Sequence, residues 1–129
     1  MKVLTLKQPW ATLVAEGIKK YEFRTWKTNY RGKVLIHAGA GVEKKELARF
    51  KDLNLEYPSK RIIAEAEIED CLELDDNLNK KIINENNIAY GSKYRTGYAW
   101  KLKNVKKLDI NKEINGKLGL WNIDLEDLD

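Results

Sequence analysis

Between Lys19 and Lys33 the chain carries six cationic side chains (Lys19, Lys20, Arg24, Lys27, Arg31, Lys33), four aromatic rings (Tyr21, Phe23, Trp26, Tyr30) and one acid, Glu22. Ammonium and guanidinium groups pair with phosphates, and flat rings stack on bases. The mixture therefore suits a surface for single-stranded nucleic acid. Arg24 could grip a phosphate through two parallel hydrogen bonds or lie flat on a base, and Lys19 would act as a point charge. Glu22 would accept from a base amide or amine edge. Regular strand alternation places Lys19 on the face opposite Glu22, so a shared site requires a turn or bulge after Gly17. An ion pair between Glu22 and Arg24 at the end of a sheet is the plainer alternative.

Trp26 is the main stacking candidate, with core packing as its rival; Trp10, Trp100 and Trp121 fit apolar periodicities and read as core. Tyr30 and Arg31 fall at a turn before Gly32, where backbone contact or simple loop closure would both suit them. His37 is the sole imidazole, set between Ile36 and Ala38, and reads either as a general base or as a buried, satisfied histidine. No serine elbow, P-loop or dinucleotide fingerprint occurs. One cysteine, Cys71, excludes an internal disulfide, and with one histidine leaves too few soft ligands for zinc. The acidic run Asp70, Glu73, Asp75 and Asp76 reads as a solvated loop more readily than as a magnesium site. We expect no metal and no cofactor.

The formal net charge of +4 is unevenly spread: residues 1–61 hold 14 Lys and Arg against 6 acids, and residues 62–129 hold 10 against 14. A regional positive field favours a polyanionic partner through counterion release, although a solvated lysine face would look similar. The first twenty residues are broken by Lys7, Glu16, Lys19 and Lys20, and no later run approaches membrane-spanning length. The expectation is a cytoplasmic chain with no membrane partner.

These side chains need elements to position them. Val3–Leu6 reads as a strand; Pro9 suits the first helical position, with Trp10, Leu13 and Val14 on one face and Gly17 as the stop. Lys20–Trp26 and Val34–Ala38 read as strands. Glu43–Leu53 reads as a helix presenting Leu47, Phe50 and Leu53 to a core. Ile62, Ala64, Ala66 and Ile68 alternate with Ile63 and three glutamates, the pattern of a strand with one wet face. Asp76–Asn86 is a weaker helix, and strands follow around Tyr98–Lys103 and Leu118–Leu125. About six strands and three helices, without a linker or repeat, predict one α+β domain over residues 1–129. Its sheet would be mixed, mainly antiparallel and strongly curved or closed as a small barrel.

The order Leu6-Lys7-Gln8-Pro9-Trp10-Ala11, Gly17-Ile18-Lys19, Glu22-Phe23-Arg24, Trp26 and Tyr30-Arg31-Gly32 resembles the ASCH domain family. The match runs continuously from about Leu4 to Ala40 and more loosely through Ile63–Asp70, Tyr98–Trp100 and Leu118–Trp121. The resemblance implies a PUA-like β-barrel with a nucleic-acid-facing cleft beside the first helix, lined by Gln8, Pro9, Lys19 and Arg24. A bacterial branch of the family hydrolyses N-acetylated cytidine with a threonine nucleophile three residues after the conserved lysine. This chain has Glu22 there. The leading reading is thus a module that binds RNA or other single-stranded nucleic acid around Lys7, Gln8, Lys19, Glu22, Arg24, Trp26, Tyr30 and Arg31. A hydrolase acting on a modified nucleoside or RNA, using Lys19, Glu22 and His37, is the alternative; a protein-interaction module is the third.

Overall fold

Strands run at Lys2–Gln8 (β1), Tyr21–Arg24 (β2), Gly32–Val42 (β3), Arg61–Glu73 (β4), Tyr98–Lys107 (β5) and Leu120–Asn122 (β6). Helices occupy Trp10–Ala15 (α1), Lys44–Arg49 (α2), Asp76–Glu85 (α3) and Asn87–Tyr90 (α4). The computed structural model describes residues 1–128. All six strands join one sheet in the order β2-β5-β4-β3-β1-β6. Among the described residues only β1 and β3 pair in parallel, and the crossover this demands carries α1 and β2. No helix is long and apolar enough to cross a membrane among the described residues.

The expected closed barrel does not form. β2 and β6 end the sheet as its two edges, and they are four and three residues long. Closure needs the first and last strands to pair with a consistent stagger, which strands this short supply poorly. The concave face is filled instead by α1, whose Ala11, Val14 and Ala15 pack with Leu4, Leu6, Ile36, Ala64, Ala66 and Trp100. Curvature comes from register shifts in β1–β3, in β3–β4 and twice in β4–β5.

The opposite face is covered by the segment after β5, where Leu108, Ile110, Ile114 and Ile123 pack on Val3, Leu35, Ile62 and Trp121. Simple alternation would put Ile62 with Ala64. The shift between Ile36↔Ala64 and His37↔Ile62 inserts Ile63 and turns Ile62 to the other face. The helix expected over Glu43–Leu53 breaks at Phe50, which is buried, while Leu53 is exposed on a following 3-10 turn. α4 was not legible as a helix. It packs with α3 as Ile82, Ala89 and Tyr90 against Tyr21 and Ala99, supporting the β2 edge.

Gly97, at φ +97°, leads into β5; an added Cβ would lie 2.6 Å from the Arg24 carbonyl oxygen. Backbone against backbone cannot yield cheaply, and positive φ adds strain for any other residue. Gly97→Ala is expected to destabilise the fold by about 2–3 kcal/mol, read as a lower urea midpoint at unchanged m-value.

Candidate functional site

The site starts where α1 ends. Gly17 takes φ +75°, and the N–H groups of Ile18 and Lys19 both donate to the Leu13 carbonyl at 2.9 and 3.0 Å. This turn removes Lys19 from the alternation of β2 and folds its side chain beneath the strand. Its Nζ donates to the Tyr21 carbonyl at 2.5 Å and to Glu22 Oε2 at 3.1 Å, with 3% and 10% of the two side chains exposed. The turn that a shared Lys19–Glu22 site required is therefore present.

Three rings surround the ammonium, with centroids 5.0 Å (Phe23), 5.6 Å (Trp10) and 6.0 Å (Tyr90) from Nζ. Burial lowers the Lys19 pKa; Glu22 opposes the fall, and the neighbouring Arg95 and Arg24 add to it. Arg95 stacks 4.5 Å from the Phe23 centroid and donates to the Tyr90 carbonyl at 3.0 Å. The Tyr90 hydroxyl oxygen accepts from the N–H groups of Lys20 and Tyr21 at 2.7 and 3.1 Å, and burial pushes its pKa up to about 12. Tyr90 thereby pins the start of β2 from a helix seventy residues away in sequence.

Glu22 opens onto a cleft of about 660 Å³. β2 contributes Glu22, Phe23 and Arg24, and α1 contributes Trp10. β1 and β3 contribute Thr5, Leu6, Lys7 and Gly39–Gly41, while Lys60 and the Asn115–Gly119 segment complete the lining. Arg24 Nη2 donates to the Thr5 carbonyl at 2.7 Å, but its Nε is buried without a partner. The only hydrogen bond to the Glu22 carboxylate among the described residues goes to Oε2, so Oε1 has no protein donor. Glycine lets β3 approach the β1 side chains closely: a Cβ on Gly39 would sit 2.9 Å from Thr5 Cγ2, and one on Gly41 would sit 3.1 Å from Lys7 Cγ. The cleft offers four cations, a carboxylate acceptor and two aromatic rings in a space fit for one nucleotide.

The structure gathers Lys7, Lys19, Glu22 and Arg24, all at or directly behind this cleft. Lys7 is exposed and pairs with Glu43 at 3.4 Å. Gln8 is fully buried and occupied: it accepts from Thr12 N–H at 3.0 Å and donates to the Pro58 carbonyl at 2.9 Å, fastening the start of α1. Trp26, Tyr30 and Arg31 do not line the cleft. Trp26 meets Trp100 edge-on at 4.6 Å and accepts the Trp100 indole N–H on its carbonyl. The Tyr30 hydroxyl donates to the Lys33 carbonyl, and Arg31 pairs with Asp70. His37 has no exposed surface and both ring nitrogens are engaged, with Thr5 Oγ1 at 3.2 Å and the Ile114 carbonyl at 2.6 Å. No group of three or more His, Cys, Asp or Glu side chains gathers at metal-binding distance among the described residues.

Thr5, Lys60, Lys117, Leu118 and the backing residue Arg95 escaped the sequence reading. The Ala38-Gly39-Ala40-Gly41 run and the Gly116/Gly119 pair were the available signals, since small residues mark room for a ligand. Nothing in the sequence marks Lys60 or Arg95.

Fold and site together define an open, mixed α+β sheet with one helix in its concavity and a basic cleft backed by a buried lysine–glutamate pair. The chain belongs to the ASCH domain family, which it matches over residues 4–112. It is 28% identical to human Activating signal cointegrator 1 and 29% identical to the mouse protein, in each case over 133 residues. Those alignments cover 94% of this chain and 22% of each relative, so the chain spans about a fifth of the length of the curated relatives it matches. The crystal structure of ASCH from Zymomonas mobilis aligns with a TM-score of 0.54 at 17% identity, covering 88% of this chain and 72% of that one. A tyrosine-to-phenylalanine variant of it gives the same score and identity, covering 74% of its chain. At that identity the likeness concerns the fold, which is PUA-like with its sheet left open.

Proposed function

We propose that this domain binds single-stranded nucleic acid, RNA foremost, with one nucleotide held in the cleft. The observation that carries this reading is the pair of unfilled groups there: among the described residues, Arg24 Nε is a buried donor without an acceptor, and Glu22 Oε1 is an acceptor without a donor. Leaving the buried Arg24 Nε unsatisfied costs about 1–3 kcal/mol, so a ligand offering it an acceptor recovers that energy on binding, while Glu22 Oε1 stays free to accept from the ligand. Lys7, Lys60 and Lys117 supply the phosphate-attracting field. Family membership supports an RNA-related role, and the cointegrator relatives are consistent with contacts to nucleic acid or protein.

Binding is favoured over hydrolysis because the position of the amidohydrolase threonine holds Glu22, whose carboxylate is tied to Lys19. That pairing presents no hydroxyl nucleophile to the cleft. The test is fluorescence anisotropy with short labelled single-stranded RNA and DNA at two salt concentrations. A Lys7→Ala/Lys60→Ala/Lys117→Ala variant is expected to lose affinity and to flatten the log–log salt slope by about 2, at roughly 0.7 per phosphate contact on a single strand. A folded triple variant with unchanged affinity and slope would sink the proposal.

Trp26 serves as a control. Because its ring covers Trp100 and lies outside the cleft lining, Trp26→Ala is expected to lower stability by about 2 kcal/mol while leaving nucleic-acid affinity within twofold of the wild type, about the scatter of such measurements. Chemical denaturation and anisotropy on the same preparation check both halves.

A further inference from the structure

Leu118 is 98% exposed, the most exposed of the large apolar side chains, and it belongs to the cleft lining with Trp10 and Phe23. A scattered exposed leucine needs no explanation; this one sits on a segment fixed at both ends. On one side the Ile114 carbonyl accepts from His37 and the Ile114 N–H donates to the Lys60 carbonyl at 2.7 Å. Gly116 lies against Thr5 and His37 so closely that a Cβ there would be 2.8 Å from Thr5 Cγ2. Lys117, on the same side, stands 5.5 Å from the Trp121 ring centroid, and on the other side β6 pairs with β1. Between these anchors, Gly119 at φ +68° has open space around its Cβ position. Burial of Leu118 is thus left to whatever occupies the cleft.

We infer that Leu118 is the apolar cover of the bound base: the cleft takes an unpaired base flat, with Leu118 contacting its face and the surrounding cations contacting the phosphates. This inference rests on the nucleic-acid reading of the cleft. Its ligand class is a planar heteroaromatic ring on a single strand. A bare phosphate would give a leucine nothing to bury, and a double helix keeps its bases stacked.

The experiment compares wild type, Leu118→Ser and Leu118→Phe on two short labelled single strands of equal length, one bearing bases and one abasic throughout, at two salt concentrations. Leu118→Ser is expected to weaken binding to the base-bearing strand about tenfold, the effect of uncovering roughly half a leucine side chain or more. Its salt slope and its affinity for the abasic strand stay as in wild type, and Leu118→Phe binds the base-bearing strand at least as tightly as wild type. The thermal midpoint of each variant matches wild type, because the side chain makes little contact in the free protein. If wild type binds and Leu118→Ser binds the base-bearing strand equally well, the cover is refuted while the nucleic-acid reading stands. If wild type binds neither strand, both fail together.

Discussion

Glu22→Gln is expected to lower folding stability by about 3–5 kcal/mol, the usual cost of removing one partner from a buried ion pair. With 3% of the Lys19 side chain exposed, water cannot compensate the ammonium once the carboxylate is gone. The aromatic rings of Phe23, Trp10 and Tyr90 and the Tyr21 carbonyl remain around the ammonium, but Arg24 and Arg95 add positive charge nearby. The variant therefore has to bury an unpaired cation or release its proton. Burial already lowers the Lys19 pKa below its ordinary value, and losing the anion lowers it further. Between the folded and unfolded values the unfolded chain binds more protons, so the stability of Glu22→Gln rises with pH as Lys19 deprotonates. Urea denaturation at pH 7 and 9 should show the deficit shrinking at the higher pH. Replacing both members, Lys19→Met with Glu22→Leu, should restore most of the loss, because two apolar side chains of similar volume carry no desolvation cost. A single Glu22→Gln variant within 1 kcal/mol of wild type, with no pH trend, would mean that water reaches the pair, since exposed pairs are worth about that much.

The region around that pair was the most legible part of the chain because its determinants are local. Pro9, Gly17 and the apolar spacing of Trp10, Leu13 and Val14 lie within a few residues of the turn they produce. Lys19 and Glu22 could be assigned to one site on the condition of a turn, and hydrogen bonds to Leu13 supply it. Trp26, Tyr30 and Arg31 matched the composition of a binding surface, yet composition does not say which way a side chain points once β2 ends at Arg24. The remaining wall of the cleft comes from Lys60 and Asn115–Gly119, brought in by the pairing of β4 with β3 at Ala38↔Arg61 and by the return of β6 to β1. Long-range pairing of this sort leaves little periodicity to read. The strand expected over Val34–Ala38 continues through the small-residue run to Val42, where Gln8 is its register partner. The six strands expected from the pattern are present, whereas closure into a barrel depends on edge length and stagger, which a strand count does not contain.

His37 links the fold to the cleft, and its loss is the second large effect expected. Its ring is fully buried; the Thr5 hydroxyl at Nδ1 itself accepts the Trp121 indole N–H at 3.0 Å, while Nε2 meets the Ile114 carbonyl. A carbonyl only accepts, so Nε2 carries the proton and Nδ1 accepts from Thr5, which fixes a neutral tautomer. Burial lowers the His37 pKa from its ordinary value, against the opposing pull of the Ile114 carbonyl. The unfolded chain then takes up a proton near pH 6.5, its unperturbed value, before the folded one does. Stability is therefore fully present above that pH and declines as pH falls toward the lower folded value, by up to about 1.4 kcal/mol per pH unit for one proton. His37→Ala removes this slope and costs about 3 kcal/mol at neutral pH, combining a cavity with two orphaned hydrogen-bonding partners. Because Thr5 and Gly116 lie both against His37 and in the cleft lining, the same variant should also loosen the Asn115–Gly119 wall and weaken binding. Denaturation between pH 5 and 8 on wild type and His37→Ala checks the stability claim, and amide exchange in residues 114–119 checks the loosening. Parallel pH profiles for the two proteins would show that the acid-sensitive proton belongs to another group.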